Sequence, residues 1–173
     1  MQPEGLIAIG RLTKPHGLRG ELVFLPYIYD LELLPDLLQQ PVFLQHGHSP
    51  LHTHTIIEWR VMHKRVLIRL HGCQDLTTAE AFREYEVLIP RNWFPPLPAG
   101  EYYWFEIEGL AVYGNDGHYL GTVVEIIYTG SNDVYVVRNG THETLIPALR
   151  DVVHTIDLEQ GEIRLFTTAG LLD

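Results

Sequence analysis

Pro95, Pro96 and Pro98 fall within four consecutive positions near the middle of the chain. Each lacks a backbone donor and holds φ near −65°, so neither a helix nor a central strand continues through them. The stretch from Trp93 to Gly100 therefore reads as a semi-rigid, extended connector. On a chain of 173 residues this predicts two small domains, residues 1–91 and 101–173, joined by a linker at 92–100. A long loop inside a single domain is the alternative. Domains this small must close their sheets tightly or lean on each other.

Both halves read as strand. Short β-branched and aromatic runs sit between turn signals at the spacing of a small barrel or sandwich. The expected strands are 6–12, 20–25, 41–45, 54–62, 65–71 and 85–89 before the connector. After it they are 110–113, 121–128, 133–139, 143–147 and 162–166. Hairpin turns are expected at Met62-His63-Lys64-Arg65, at Asn115-Asp116-Gly117 and at Arg138-Asn139-Gly140, where Asn-Gly and Asp-Gly supply positive φ. One helix is predicted over 77–83, with Thr77 and Glu80 spaced as a capping box. A shorter one fits 31–38, limited by Pro35. The fold class is all-β.

Charge divides unevenly at the connector. Residues 1–95 hold 9 Lys/Arg and 10 Asp/Glu, a net of −1, whereas residues 96–173 hold 3 and 12, a net of −9. A chain of net charge −10 is unsuited to sequence-blind wrapping of nucleic acid, which depends on neutralising phosphates. Neutral or basic partners suit it better. The lone Cys73 points to a reducing compartment. No apolar run reaches the ~18 residues that cross a bilayer. Glu4 ahead of the short Leu6–Ile9 patch does not make a secretory signal. A cytoplasmic protein without a membrane partner, acting as a monomer, is expected.

The strong enzyme and zinc-ribbon motifs are missing: there is no Walker A loop, no Gly-x-Ser-x-Gly elbow and no Cys-x-x-Cys pair. His46, His48, His52 and His54 have a spacing that could converge on an ion, since residues two apart on a strand share a side. With no carboxylate or thiolate in the same segment, a hydrated hairpin tip is the commoner outcome of such a pattern. No catalytic residue and no cofactor are expected. Cys73 beside His71 reads as a small buried residue rather than a nucleophile.

Two segments carry more information. Arg11, Lys14, His16 and Arg19 lie within nine residues around a turn punctuated by Pro15, Gly17 and Gly20. Such a tip is either a solvated loop or a compact basic contact for phosphate or an acidic protein face. Glu101-Tyr102-Tyr103-Trp104-Phe105-Glu106 places four aromatics directly after the connector. On a strand, at most half of those rings could enter one core. The remainder, with carboxylates on either side, matches the aromatic centre and polar rim of a protein interface.

These segments belong to an ordered set of motifs. The set opens with Ile9-Gly10-Arg11 and Lys14-Pro15-His16-Gly17-Leu18-Arg19-Gly20-Glu21-Leu22. It continues through Asp75–Arg83 and Tyr85-Glu86-Val87, then Glu101-Tyr102-Tyr103-Trp104 and Gly109-Leu110-x-Val112. Asp116-Gly117, Leu120-Gly121-x-Val123, Gly130–Val134, Leu145-Ile146-Pro147, Asp157 and Gly170-Leu171-Leu172-Asp173 complete it. In this order, over almost the whole chain, they resemble the RimM family of bacterial ribosome maturation factors. Departures are few. Glu84 stands where the family has a glycine, which suggests a different turn there. Phe105–Glu108 and Thr168-Ala169 also differ from the usual residues.

The resemblance implies a six-stranded N-terminal barrel of the translation-factor type and a C-terminal PRC barrel, with Gly17, Gly20, Gly109, Gly117 and Gly121 at turns. It implies a non-enzymatic assembly factor that binds the free small ribosomal subunit near its head, contacts small-subunit ribosomal protein number nineteen and promotes rRNA processing. Charge then suggests how the work is divided. Glu101, Tyr102, Tyr103, Trp104 and Glu106 on the acidic half suit a basic protein. Arg11, Lys14, His16 and Arg19 suit rRNA backbone. The rival readings are a PRC-barrel adaptor outside ribosome biogenesis and a metal-binding protein built on the four histidines.

Overall fold

Short apolar runs separated by turn residues produce two antiparallel-rich sheets in the computed structural model, which describes residues 5–28, 31–38, 41–63 and 65–166. Contacts divide the chain into two compact units, Met1–Pro95 and Pro96–Asp173. The first contains β1 (Leu6–His16), β2 (Glu21–Pro26), β3 (Val42–Gln45), β4 (His52–His54), β5 (Ile56–Met62), β6 (Arg65–Leu70) and β7 (Glu86–Pro90), with short helices α1 (Leu34–Leu37) and α2 (Leu76–Glu80). The second contains α3 (Trp104–Ile107), β8 (Ala111–Tyr113), β9 (Tyr119–Tyr128), β10 (Asp133–Asn139), β11 (His142–Pro147), β12 (Val153–Asp157) and β13 (Glu162–Leu165). The all-β expectation is met. The terminal Gly170–Asp173 motif, Thr168-Ala169 before it, and Lys64 of the expected 62–65 turn lie outside the described residues.

The first sheet runs β4-β3-β7-β1-β2-β6-β5. It has one strand more than the six expected, because the three-residue β4 folds back on β3. The long β1 organises the sheet by pairing with β7 over its first half and β2 over its second. A register shift interrupts each pairing, between Ala8 and Gly10 and between Leu12 and Lys14. Such bulges bend a strand and raise its twist, which lets one strand serve two partners in a curving sheet. Gly10 is required at the overlap: a Cβ there would lie 2.4 Å from the Phe24 ring. Ile9, Leu12, Leu22, Phe24, Leu44, Ile68 and Leu88 fill the core behind it, each at most 1% exposed.

Helix α2 starts one residue earlier than expected. Its cap is Asp75, whose carboxylate accepts the Thr78 N–H at 2.7 Å, rather than Thr77. An Asp in extended conformation satisfies one of the free N–H groups of a first turn as well as a Thr does. Pro35 sits in the first turn of α1, the one place in a helix where its missing donor costs nothing.

The second sheet runs β11-β10-β9-β8-β13-β12, with β13 and β8 parallel. Two elements depart from expectation. β12 is not among the expected strands, because His154 and Thr155 interrupt its apolar pattern. The aromatic run, which no expected strand or helix covered, turns into helix α3. The core is Ile107, Leu110, Val112, Val123, Tyr135, Val137, Ile146, Ile163 and Leu165, with Tyr102, Ile126 and Ile156 packed against it. Among the described residues no helix is long and apolar enough to cross a membrane.

Candidate functional site

The basic tip is a true hairpin end, but a smaller one than expected. The β1–β2 register pairs Lys14 with Val23 and His16 with Glu21, leaving Gly17–Gly20 as the connection. Gly20 takes φ 77°, and a Cβ on it would stand 2.4 Å from the Cys73 carbonyl oxygen. The tip is thus seated against the segment before α2. Lys14 and Arg19 are exposed there, and His16 shares a face with Glu21.

Arg11 is not part of this tip. It pairs with Leu25, five residues down the strand from His16, which at the rise of a β-strand is about 16 Å. Its guanidinium bridges Glu84 at 3.3 Å. The strand between them is extended, so proximity in sequence does not become proximity in space. Leu18, overlooked in the sequence, is 76% exposed at the crown of the turn. A leucine bracketed by two turn glycines was the available signal.

Two further arginines of this unit are already engaged. Arg60 bonds both carboxylate oxygens of Glu21, and Arg69 bonds Glu58, in a row across β2, β6 and β5. Such exposed pairs add little stability, but they cancel charge locally. Lys14 and Arg19 have no carboxylate partner among the described residues, so the tip keeps its positive charge.

The four histidines do not converge. His52 and His54 lie on β4, whereas His46 and His48 are in the turn after β3. The His46 ring lies 5.4 Å from Tyr85, and that of His54 meets Phe82 edge-on at 4.9 Å. Burial holds the His54 pKa below its ordinary 6.5, with the His52 charge adding to the effect. Among the described residues no group of three or more His, Cys, Asp or Glu side chains is arranged to hold a metal.

The acidic, aromatic segment is the more developed site. Tyr103 precedes α3 in extended conformation, and Glu106 returns its carboxylate to the Tyr103 N–H at 3.0 Å. This is the side-chain half of a capping box that starts a helix. The helical turn stacks Tyr103 on Phe105 at 5.2 Å, while Trp104 meets Phe105 edge-on at 5.0 Å. Glu101 is exposed ahead of them. Gly109 and Gly117 lie at turns with φ of 92° and 80°, whereas Gly121, expected at a turn, lies inside β9 with φ 140°, where a Cβ would stand 2.5 Å from the Arg138 carbonyl oxygen.

Tyr102 is the pivot of the site's geometry. Two cavities, of about 420 and about 350 Å³, share Gly100, Glu101, Tyr102, Tyr135 and Ala148 in their walls. The larger adds Arg150 and His154; the smaller adds Trp104, Tyr128 and Asp133. Burial, and then the charge of Asp133, pushes the Tyr128 and Tyr135 phenols up to about 12, so both stay neutral. Glu108 is raised by desolvation and by Glu125. Tyr128, Asp133 and Tyr135 do not stand out in the sequence, since about thirty residues separate them from Tyr102. The Gly130–Asp133 motif was the only pointer.

The fold and the site together define an all-β protein of two sheet units, the second of which presents a cavity-flanked, acidic aromatic surface. The chain belongs to the RimM family. The RimM N-terminal domain model matches residues 7–94, and the RimM PRC barrel domain model matches residues 104–171. The chain is 38% identical over 168 residues to the ribosome maturation factor RimM of Geobacter metallireducens, covering 97% of this chain and 96% of that one. It is 34% identical over 173 residues to that of Syntrophobacter fumaroxidans, covering 100% and 97%. To that of Thermotoga neapolitana it is 37% identical over 157 residues, covering 91% and 89%.

Proposed function

We propose that the chain is a non-enzymatic assembly factor for the small ribosomal subunit, acting in the cytoplasm as a monomer. In this reading the domains are residues 1–91 and 101–173, with 92–100 as linker. The second binds a basic protein of the subunit head, small-subunit ribosomal protein number nineteen, through Glu101, Tyr102, Tyr103, Trp104 and Glu106. The first touches nearby rRNA with Lys14, His16 and Arg19. Arg11 is omitted from that contact because its charge is met by Glu84.

The observation that carries the reading is family membership over both units, since the relatives bear the name ribosome maturation factor. Charge supports the division of labour: a half with net −9 favours a basic protein and repels phosphate. No bond chemistry is needed. A binder with higher affinity for one arrangement of the head shifts the population toward it, and two modest contacts on one chain raise avidity while still permitting release.

Sedimentation of cell extract, with detection of this protein, tests the proposal. Co-migration with free small subunits and absence from assembled ribosomes is expected. Absence from every ribosomal fraction overturns it.

A further inference from the structure

Tyr135 is 8% exposed, lines both cavities beside Tyr102, and its hydroxyl makes no hydrogen bond to protein among the described residues. The ring is buried, but the hydroxyl itself stays accessible, since the buried unpaired side-chain atom among the described residues is Arg11 Nε, so this oxygen is open to a ligand from the cavity side. A polar ligand entering the cavity would complete it. The smaller cavity has a definite chemistry. Its walls include the rings of Tyr102, Trp104 and Tyr128 and the carboxylates of Glu101 and Asp133. Neither carboxylate is engaged by a hydrogen bond or ion pair among the described residues. Every charged group in that wall is an acceptor. The larger cavity differs, because the Arg150 guanidinium lines it and disfavours a cation there.

We propose that the smaller cavity binds the guanidinium of an arginine carried on a basic segment of a partner protein. Asp133 accepts its paired N–H groups, the Tyr135 oxygen accepts another, and the aromatic rings cover its plane. Arginine fits better than lysine. Its guanidinium is planar, weakly hydrated, stacks on rings and presents several N–H groups in a fixed fork. A lysine ammonium would lose more hydration on entering. The net charge of −9 on this half of the chain favours a protein cation over nucleic acid. The inference rests on the reading that this unit docks a basic ribosomal protein, and it names the group that would be gripped.

The test is an NMR titration of the full chain with a capped Gly-Gly-Arg-Gly-Gly peptide and its lysine and citrulline counterparts. The arginine peptide is expected to shift the resonances of Tyr102, Asp133 and Tyr135. The neutral citrulline peptide, of nearly the same shape, is expected to bind at least about tenfold more weakly, and the lysine peptide to fall between them. Asp133→Asn should weaken arginine binding by about tenfold and Tyr135→Phe by several-fold; should one variant misfold, the other decides. Equal binding of the arginine and citrulline peptides, unaltered binding in a folded variant, or shifts confined elsewhere overturn the proposal.

Binding of ribosomal protein number nineteen separates the two claims. If the wild type binds it and Asp133→Asn binds it equally well, the cavity assignment fails and the function stands. If the wild type takes the arginine peptide but not that protein, the docking reading fails and the cavity stands.

Discussion

Arg11 and Glu84 form an ion pair of 3.3 Å in which the acidic partner holds a left-handed backbone, with φ 64°. Glu84 thus holds a backbone conformation that glycine favours. Glu84 keeps its place by three contacts. Its N–H donates to the Leu12 carbonyl at 2.7 Å, its carboxylate meets Arg11, and the carbonyl of the next residue, Tyr85, accepts the Leu12 N–H.

The backbone strain at this position can be isolated from the ion pair. Glu84→Gly and Glu84→Ala both delete the carboxylate, so its loss cancels between them. The glycine variant should be the more stable by about 1 kcal/mol, the cost of a left-handed backbone for a residue with a Cβ. Parallel denaturant titrations measure the difference. An alanine variant as stable as the glycine one would remove the strain from the account.

The two glycines of the β1–β2 tip should respond very differently to a single methyl group. Gly17 has φ 65°, but a methyl placed on it would have nothing within 4 Å, so Gly17→Ala should cost about 1 kcal/mol. Gly20 has φ 77°, and its methyl would collide with the Cys73 carbonyl. Gly20→Ala should therefore cost about 3 kcal/mol, adding overpacking to the conformational term. Thermal unfolding of the two variants gives the comparison, and equal losses would mean that the tip is not seated against Cys73.

His54 makes stability depend on pH in a defined direction. Its folded pKa lies below 6.5, so the unfolded chain binds its proton more readily. The resulting stabilisation is full above pH 6.5 and is lost as pH falls through the lower, folded value. Between pH 7 and 5 the wild type should lose more stability than His54→Phe, in which a ring still faces Phe82. Urea titrations at both pH values read this, and identical slopes in the two proteins would refute it. Added zinc should leave both unfolding curves in place.

Tyr102 and Tyr103, adjacent in sequence, should separate on truncation. Tyr102 packs against the core of the second unit, so Tyr102→Ala should cost about 2 kcal/mol, below the ~3–5 of a fully buried aromatic. Tyr103 is outside that core cluster and stacks on Phe105, so Tyr103→Ala should cost about 1 kcal/mol. Melting curves of the single variants distinguish them. A larger loss from Tyr103 would reverse the assignment of core and surface.

Most strands were legible because burial alternates along β3, β11 and β13 and runs unbroken through the centres of β1, β6 and β7. The elements that escaped were short or polar. β4 spans three residues, and β12 carries His154 and Thr155 toward solvent. The aromatic run was given no expected element, although Glu106, three residues beyond Tyr103, was the helix-starting signal. At the candidate sites, local sequence found Tyr102 but not Tyr135, which β10 brings to it. It likewise grouped Arg11 with Arg19, although an extended strand separates them and Glu84, from a distant segment, takes the charge.

The seating of Gly20 on Cys73 has a practical consequence. Cys73 is the chain's single cysteine and is 1% exposed, and burial pushes its thiol pKa up. A thiol so placed is inert while it stays buried and reacts only when the structure around it opens. The rate of alkylation by an excess of reagent is then a clock for opening events. It gives the local opening free energy around Cys73, at the segment on which Gly20 is seated.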